Sequence, residues 1–189
     1  MLASLQFSLS YGALWLLVAF QSLILLGLVR TVYQRDRDEG RGDEDAAERF
    51  RGQPAPAFSA VDLTGARVDS SDYEGRTRVL LFVGPNCASC AVALEDMSVL
   101  DSKTNGNIVV VCRGGRDECA GLVETYGLTL PVVADEDFEL SRLFAVASVP
   151  IAVLIDDDDH IRSYGRARRT EELQELVAET SAGELEEVG

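Results

Sequence analysis

Two cysteines separated by two residues are the feature of this sequence that most directly indicates chemistry. Cys87 and Cys90 lie in the segment GPNCASC, which starts at Gly84 and directly follows the apolar segment Val79–Val83. At the start of a helix, positions i and i+3 place two thiols about one turn apart. Free N–H groups at a helix start favour the thiolate, which is the nucleophile in disulfide exchange. The spacing therefore predicts a redox dithiol in which Cys87 attacks a substrate disulfide and Cys90 resolves the mixed disulfide.

Two other interpretations of this motif are an inert pair of cysteines and half of a zinc or copper site. A structural zinc site needs four ligands. Cys112 and Cys119 could supply the other two, but their spacing is not that of a common zinc knuckle. The single histidine, His160, lies in an aspartate-rich turn. The sequence therefore favours redox chemistry, and we expect neither a resident metal nor a cofactor.

A second pair of cysteines lies further along the chain. Cys112 ends a predicted strand, toward the edge of the sheet that carries the dithiol, and Cys119 falls in the next predicted helix. A structural disulfide, two buried thiols and a pair that relays electrons from the dithiol are all compatible with this placement. The sequence leaves these three possibilities open.

Short apolar segments alternate with segments of helical spacing over the rest of the chain. Val79–Val83 reads VLLFV, as expected of a strand buried on both faces. Thr64-Gly65 predicts a hairpin turn between strands at residues 58–63 and 67–69. Further strands are predicted at residues 108–111, 131–134, 151–155 and 161–164, and helices at 88–101, 117–126, 137–144 and from Thr170. This alternation predicts an α/β fold with helices on both faces of one sheet.

The N-terminal segment is apolar enough to cross a membrane. Residues 1–29 contain no charged side chain, and residues 11–29 would span a bilayer core as a helix. A cleavable signal peptide is the alternative, but it would need basic residues ahead of the apolar segment, and the sequence has none there. The sequence thus predicts a transmembrane anchor over residues 1–33, a charged linker over 34–53, a folded domain over 54–180 and an acidic tail over 181–189.

Three blocks of the sequence together resemble a known family. They are Pro54–Phe58 with the hairpin that runs to Gly75, Val79–Cys90, and Pro131–Asp135 continuing to Val149–Asp156. Over residues 54–179 the chain resembles the membrane-anchored thioredoxin-like thiol-disulfide oxidoreductases of bacteria. These include the TlpA and ResA types and the accessory protein of methylamine utilisation.

The resemblance implies a fold and a substrate-binding loop. The fold would be thioredoxin-like, with a central mixed sheet flanked by helices and an N-terminal β-hairpin extension. Val149-Pro150 matches the family's cis-proline position. The resemblance implies that this cis bond faces the dithiol and that the backbone before the proline pairs with the substrate strand.

The resemblance also implies partners. Protein disulfides would be the substrates, as in cytochrome c or quinoprotein maturation, and a membrane or extracytoplasmic electron donor would restore the dithiol. Residues 11–29 would contact the lipid bilayer. A net charge of −15 argues against nucleic acid as a partner, because nucleic-acid binding needs clustered cations. The rival function, from another class, is a membrane-tethered metal-binding or assembly module without turnover.

Charge and resemblance disagree about the orientation of the domain. Four arginines follow the apolar segment, and no cation precedes it: Arg30, Arg35, Arg37 and Arg41. By the positive-inside rule, this pattern places the domain in the cytoplasm. The resemblance places the domain on the extracytoplasmic face, and we expect that face.

The sequence departs from the family at the dithiol. Asn86 occupies the position where many thioredoxins carry tryptophan, and Val79–Val83 lacks the acid that many carry in this strand. Gly84 stands where a peroxiredoxin would need threonine or serine, which argues against a peroxidase. The sequence therefore identifies the dithiol but no proton-transfer acid beside it.

Overall fold

The computed structural model describes residues 2–95, 97, 107–169 and 171–172 and has two compact units, Met1–Gly40 and Arg41–Gly189. Helix α1 (Leu2–Phe50) begins in the first unit and ends in the second. Within it, Leu14–Thr31 is long and apolar enough to cross a membrane, with a mean hydropathy of 1.8. The Ser22 hydroxyl in this segment donates to the Val18 carbonyl (2.8 Å), so this polar side chain is satisfied inside the helix. The predicted N-terminal apolar helix is confirmed.

The second unit contains a hairpin and a five-stranded mixed sheet. The hairpin joins β1 (Ser59–Val61) to β2 (Arg67–Asp69) around Gly65, whose φ of 92° favours glycine. The sheet strands are β3 (Arg78–Val83), β4 (Ile108–Cys112), β5 (Val132–Ala134), β6 (Ile151–Ile155) and β7 (Ile161–Arg166). They lie in the order β5-β4-β3-β6-β7, with β3, β4 and β5 parallel and β6 antiparallel to both β3 and β7. The fully buried strand β3 therefore lies at the centre, as its apolar sequence predicted.

Helices cover both faces of this sheet. On one face, α2 (Cys90–Glu95) and α3 (Arg116–Tyr126) share an apolar cluster with β3 and β4. On the other face, α4 (Glu139–Leu143) and the last turns of α1 share a second cluster with the alternate side chains of the same strands. Gly127, with a φ of 60°, ends α3 as predicted. The predicted α/β fold, with a mixed sheet and helices on both faces, is confirmed.

The structure differs from the predicted charged linker over residues 34–53. Residues from Arg41 onward belong to the second unit, where Ala46 is 4% exposed and the Phe50 ring stacks on Tyr164 with centroids 6.1 Å apart. Asp43, Ala46 and Phe50 recur at spacings of three and four, so they share one face of α1. In the sequence these three residues stand among charged residues, so the stripe is difficult to recognise. The second half of predicted helix 88–101, Thr170 and the tail lie largely outside the described residues.

Candidate active site

The Cys87–Cys90 pair lies at the carboxyl end of the central strand. Strand β3 ends at Val83, residues 84–89 form the connecting loop, and Cys90 is the first residue of α2. The two cysteines form a disulfide with Cα atoms 5.3 Å apart, and the Cys90 N–H donates to the Cys87 carbonyl (3.1 Å). Cys90 is 1% exposed, whereas Cys87 is only half-buried. The structure thus joins the predicted pair, with one accessible sulfur and one enclosed sulfur.

Ser89 provides a polar contact to the accessible sulfur that sequence reasoning did not identify. The sequence predicted that Cys87 lies at the start of a helix, but α2 begins three positions later, at Cys90. Instead, the Ser89 Oγ lies 3.4 Å from the Cys87 Sγ, and in the disulfide only the hydroxyl can donate. A hydrogen-bond donor at this position stabilises the thiolate of the reduced form. The sequence signal was a hydroxyl between the two cysteines, which by itself does not fix a direction for the side chain.

Ser89→Ala is expected to slow the alkylation of Cys87 by iodoacetamide in the reduced protein severalfold, because the thiolate loses a hydrogen bond worth about 1.5 kcal/mol. Ser89→Thr retains the hydroxyl and should be alkylated at a rate close to that of the wild type. Equal alkylation rates for Ser89→Ala and wild type would contradict the role of the hydroxyl.

The Val149-Pro150 peptide bond is cis and lies beside Cys87. The Val149 carbonyl oxygen is 3.8 Å from the Cys87 Sγ, although the two residues are 62 positions apart in sequence. Gly84 permits this approach, since a Cβ there would lie 3.3 Å from the Val149 Cγ2 and 3.5 Å from the Cys87 Cβ. The structure therefore brings together the accessible cysteine and the loop that the resemblance singled out.

A cleft of about 360 Å³ adjoins the dithiol loop. It is lined by residues of that loop and of α3: Pro85, Asn86, Glu118, Gly121, Leu122, Thr125 and Tyr126. Glu118 is exposed, and its carboxylate accepts a hydrogen bond from the Gly115 N–H (3.2 Å). The cleft has room for a side chain of a bound polypeptide.

Cys112 and Cys119 form a second disulfide, and both are 0% exposed. Their Cα atoms are 5.9 Å apart. Cys112 ends β4 opposite Val83, Cys119 lies in α3, and both belong to the same apolar cluster as Cys90. The sequence left open a structural disulfide, two buried thiols and a pair that relays electrons. The structure shows a disulfide enclosed by apolar side chains. A partner protein cannot reach either sulfur directly.

The sequence matches a family model and is similar to named proteins. The model of the AhpC/TSA family matches residues 51–164. Methylamine utilization protein MauD of Paracoccus denitrificans is 26% identical over 176 residues, which cover 90% of this chain and 86% of MauD. Thiol-disulfide oxidoreductase ResA of Bacillus thuringiensis subsp. konkukian is 28% identical over 140 residues, which cover 72% of this chain and 75% of ResA.

Solved structures share the fold. A thiol:disulfide interchange protein of the thioredoxin family from Chlorobium tepidum has a TM-score of 0.57 at 21% identity, over 68% of this chain and 95% of that protein. A secreted Mycobacterium tuberculosis disulfide oxidoreductase has a TM-score of 0.55 at 22% identity, over 66% and 95%. The fold is therefore thioredoxin-like, and the named relatives confirm the predicted enzyme class, a thiol-disulfide oxidoreductase. Because its family model covers more than half of the sequence, the chain belongs to the AhpC/TSA family.

Proposed function

We propose that this chain is a membrane-anchored enzyme that reduces disulfides of extracytoplasmic proteins through Cys87 and Cys90. The observation that carries the proposal is the difference in exposure between the two sulfurs. Cys87 is half-buried and lies beside the cis peptide bond, whereas Cys90 is 1% exposed. A protein substrate can reach the first sulfur, and only Cys87 can reach the second.

The exchange takes place in two steps that transfer two electrons. The Cys87 thiolate attacks one sulfur of the substrate disulfide, forming a mixed disulfide and releasing the other substrate sulfur as a thiolate, which takes up a proton. The Cys90 thiolate then attacks the Cys87 Sγ and releases the second substrate thiol. The substrate is reduced, and the enzyme is left with the Cys87–Cys90 disulfide that the structure contains.

The substrate is held by the loop that precedes Pro150. An extended substrate segment pairs with the backbone at Val149, whose carbonyl is 3.8 Å from the Cys87 Sγ. A side chain of the same segment occupies the cleft formed with α3. The name of ResA, a thiol-disulfide oxidoreductase, supports disulfide exchange as the reaction. Substrates of the cytochrome c or quinoprotein maturation type, and a membrane or extracytoplasmic donor that returns the enzyme to the dithiol form, are what the resemblance of the sequence implies.

We place the domain on the extracytoplasmic face, with residues 11–29 in the bilayer. The buried Cys112–Cys119 disulfide supports this face, because such bonds persist in oxidising compartments and are rare in the cytosol. The arginines after the apolar segment oppose it. Fusions of alkaline phosphatase and of green fluorescent protein after residue 189 test the orientation. We expect phosphatase activity without fluorescence, and the reverse result would place the domain in the cytoplasm.

Reduction of insulin by dithiothreitol tests the enzymatic proposal against the rival metal-binding module. We expect the full-length protein in detergent to accelerate insulin precipitation severalfold over dithiothreitol alone. Copper titration of the reduced protein is the parallel measurement. Tight stoichiometric copper binding without acceleration of insulin reduction would support the rival and contradict the proposal.

A further inference from the structure

The end of helix α1 contacts the substrate-binding loop within the unit Arg41–Gly189. Asp43 is 3% exposed, and its Oδ1 accepts a hydrogen bond from the backbone N–H of Ser148 (3.3 Å). Its Oδ2 accepts a second hydrogen bond from the Ser148 hydroxyl. A Cβ on the neighbouring Gly42 would lie 3.3 Å from the Cβ of Ala147. This turn of α1 therefore packs directly on the two residues that precede Val149.

The carboxylate of Asp43 is also close to positive charge. The Nε of Arg166, on β7, is 3.7 Å from Oδ2 of Asp43. The pKa of the nearby Tyr164 phenol is raised, first by burial and then by the negative charge of Asp43, while the Arg113 cation opposes the rise. A buried carboxylate is tolerated only where it is paired and hydrogen-bonded, and Asp43 meets both conditions.

Two further residues donate hydrogen bonds to the loop that contains residues 147–150. The Arg113 guanidinium donates to the Ala147 carbonyl (3.3 Å), and the Ala167 N–H donates to the Pro150 carbonyl (3.1 Å). Both contacts are to backbone carbonyls. Among the contacts described for residues 147–150, Asp43 is the one side chain that binds both the backbone and the side chain of a loop residue. It therefore restricts the position of Ser148 and, through it, the next peptide unit at Val149.

We propose that Asp43 is a positioning residue for substrate binding, and that the end of α1 is part of the active site rather than a spacer. Asp43 fixes Ser148, and Ser148 fixes the Val149 backbone with which the substrate strand pairs. The inference rests on the proposed function of that loop. Asp43 touches neither the substrate nor the reacting sulfurs, so its loss should weaken substrate binding and leave the reactivity of Cys87 unchanged.

The test uses the full-length protein in detergent and a disulfide-containing peptide as substrate, with dithiothreitol as reductant. Asp43→Ala is expected to raise the KM by about tenfold, because a charge-assisted hydrogen bond is lost. Asp43→Asn is expected to raise the KM by a smaller factor. We expect kcat and the rate of Cys87 alkylation by iodoacetamide to stay within about twofold of wild type. Glu44→Gln, an exposed position on the same turn, removes the same charge and should leave the KM unchanged.

Ser148→Ala provides a second route to the same interaction if Asp43→Ala does not fold. It should raise the KM, and combining it with Asp43→Asn should add less than the two separate effects predict. An unchanged KM in folded Asp43→Asn and Ser148→Ala, or an equal rise in Glu44→Gln, would overturn the positioning role. A wild-type protein without peptide reduction would instead contradict the proposed function, so the two failures are distinguishable.

Discussion

Cys90→Ser is expected to accumulate a covalent complex with its substrate, whereas Cys87→Ser is expected to lose exchange without forming one. Both variants should lose the acceleration and return insulin reduction to the rate with dithiothreitol alone, since each lacks a sulfur that the reaction requires. They differ in the step that fails. Cys87→Ser lacks the accessible nucleophile, while Cys90→Ser completes the first attack and cannot resolve the mixed disulfide.

Non-reducing electrophoresis of the purified variants with an excess of oxidised peptide substrate distinguishes the two steps. We expect a complex of increased mass with Cys90→Ser that disappears on addition of dithiothreitol, and none with Cys87→Ser. The double variant Cys87→Ser/Cys90→Ser is the matched control for the second pair, because it retains Cys112 and Cys119. A complex formed by Cys87→Ser but not by Cys90→Ser would reverse the two roles.

Much of the site could be predicted because its determinants are local in sequence. The apolar segment Val79–Val83 predicted a strand buried on both faces, and β3 is the central strand. The spacing of Cys87 and Cys90 brings the two thiols together within a single turn. Two such short-range patterns, joined by the resemblance, were sufficient to locate the dithiol and the loop at Pro150.

The parts that could not be predicted depend on contacts between distant residues. Asp43 and Ser148 are 105 positions apart, and the charged composition around Asp43 is also that of a solvated linker. In the described part of α1 after Arg41, the apolar side chains that pack on the domain include Ala46, Ala47 and Phe50, and so short a stripe is too little for a reliable helical pattern. The contact between Ser89 and Cys87 could not be predicted for another reason. The direction of the Ser89 hydroxyl is set by the loop conformation rather than by the residue type.

Removal of the Cys112–Cys119 bridge is the change with the largest expected effect on stability. The double variant Cys112→Ala/Cys119→Ala releases a closed loop whose ends are seven positions apart, which corresponds to about 2–3 kcal/mol in chain entropy. Both positions are fully buried. Alanine has an apolar side chain, so it places no unsatisfied polar group there. We expect the thermal midpoint of the domain, measured by circular dichroism, to fall by about 5–10 °C.

The same variant separates a structural bridge from an electron relay. A bridge that only stabilises the fold predicts insulin reduction within about twofold of wild type at a temperature where both proteins are folded. The buried position of both sulfurs, behind the same apolar side chains that enclose Cys90, favours this result. Cys119→Ala alone is the control, because it removes the bridge but leaves the Cys112 thiol in place. A variant that is as stable as wild type but reduces insulin much more slowly would show that the second pair takes part in exchange.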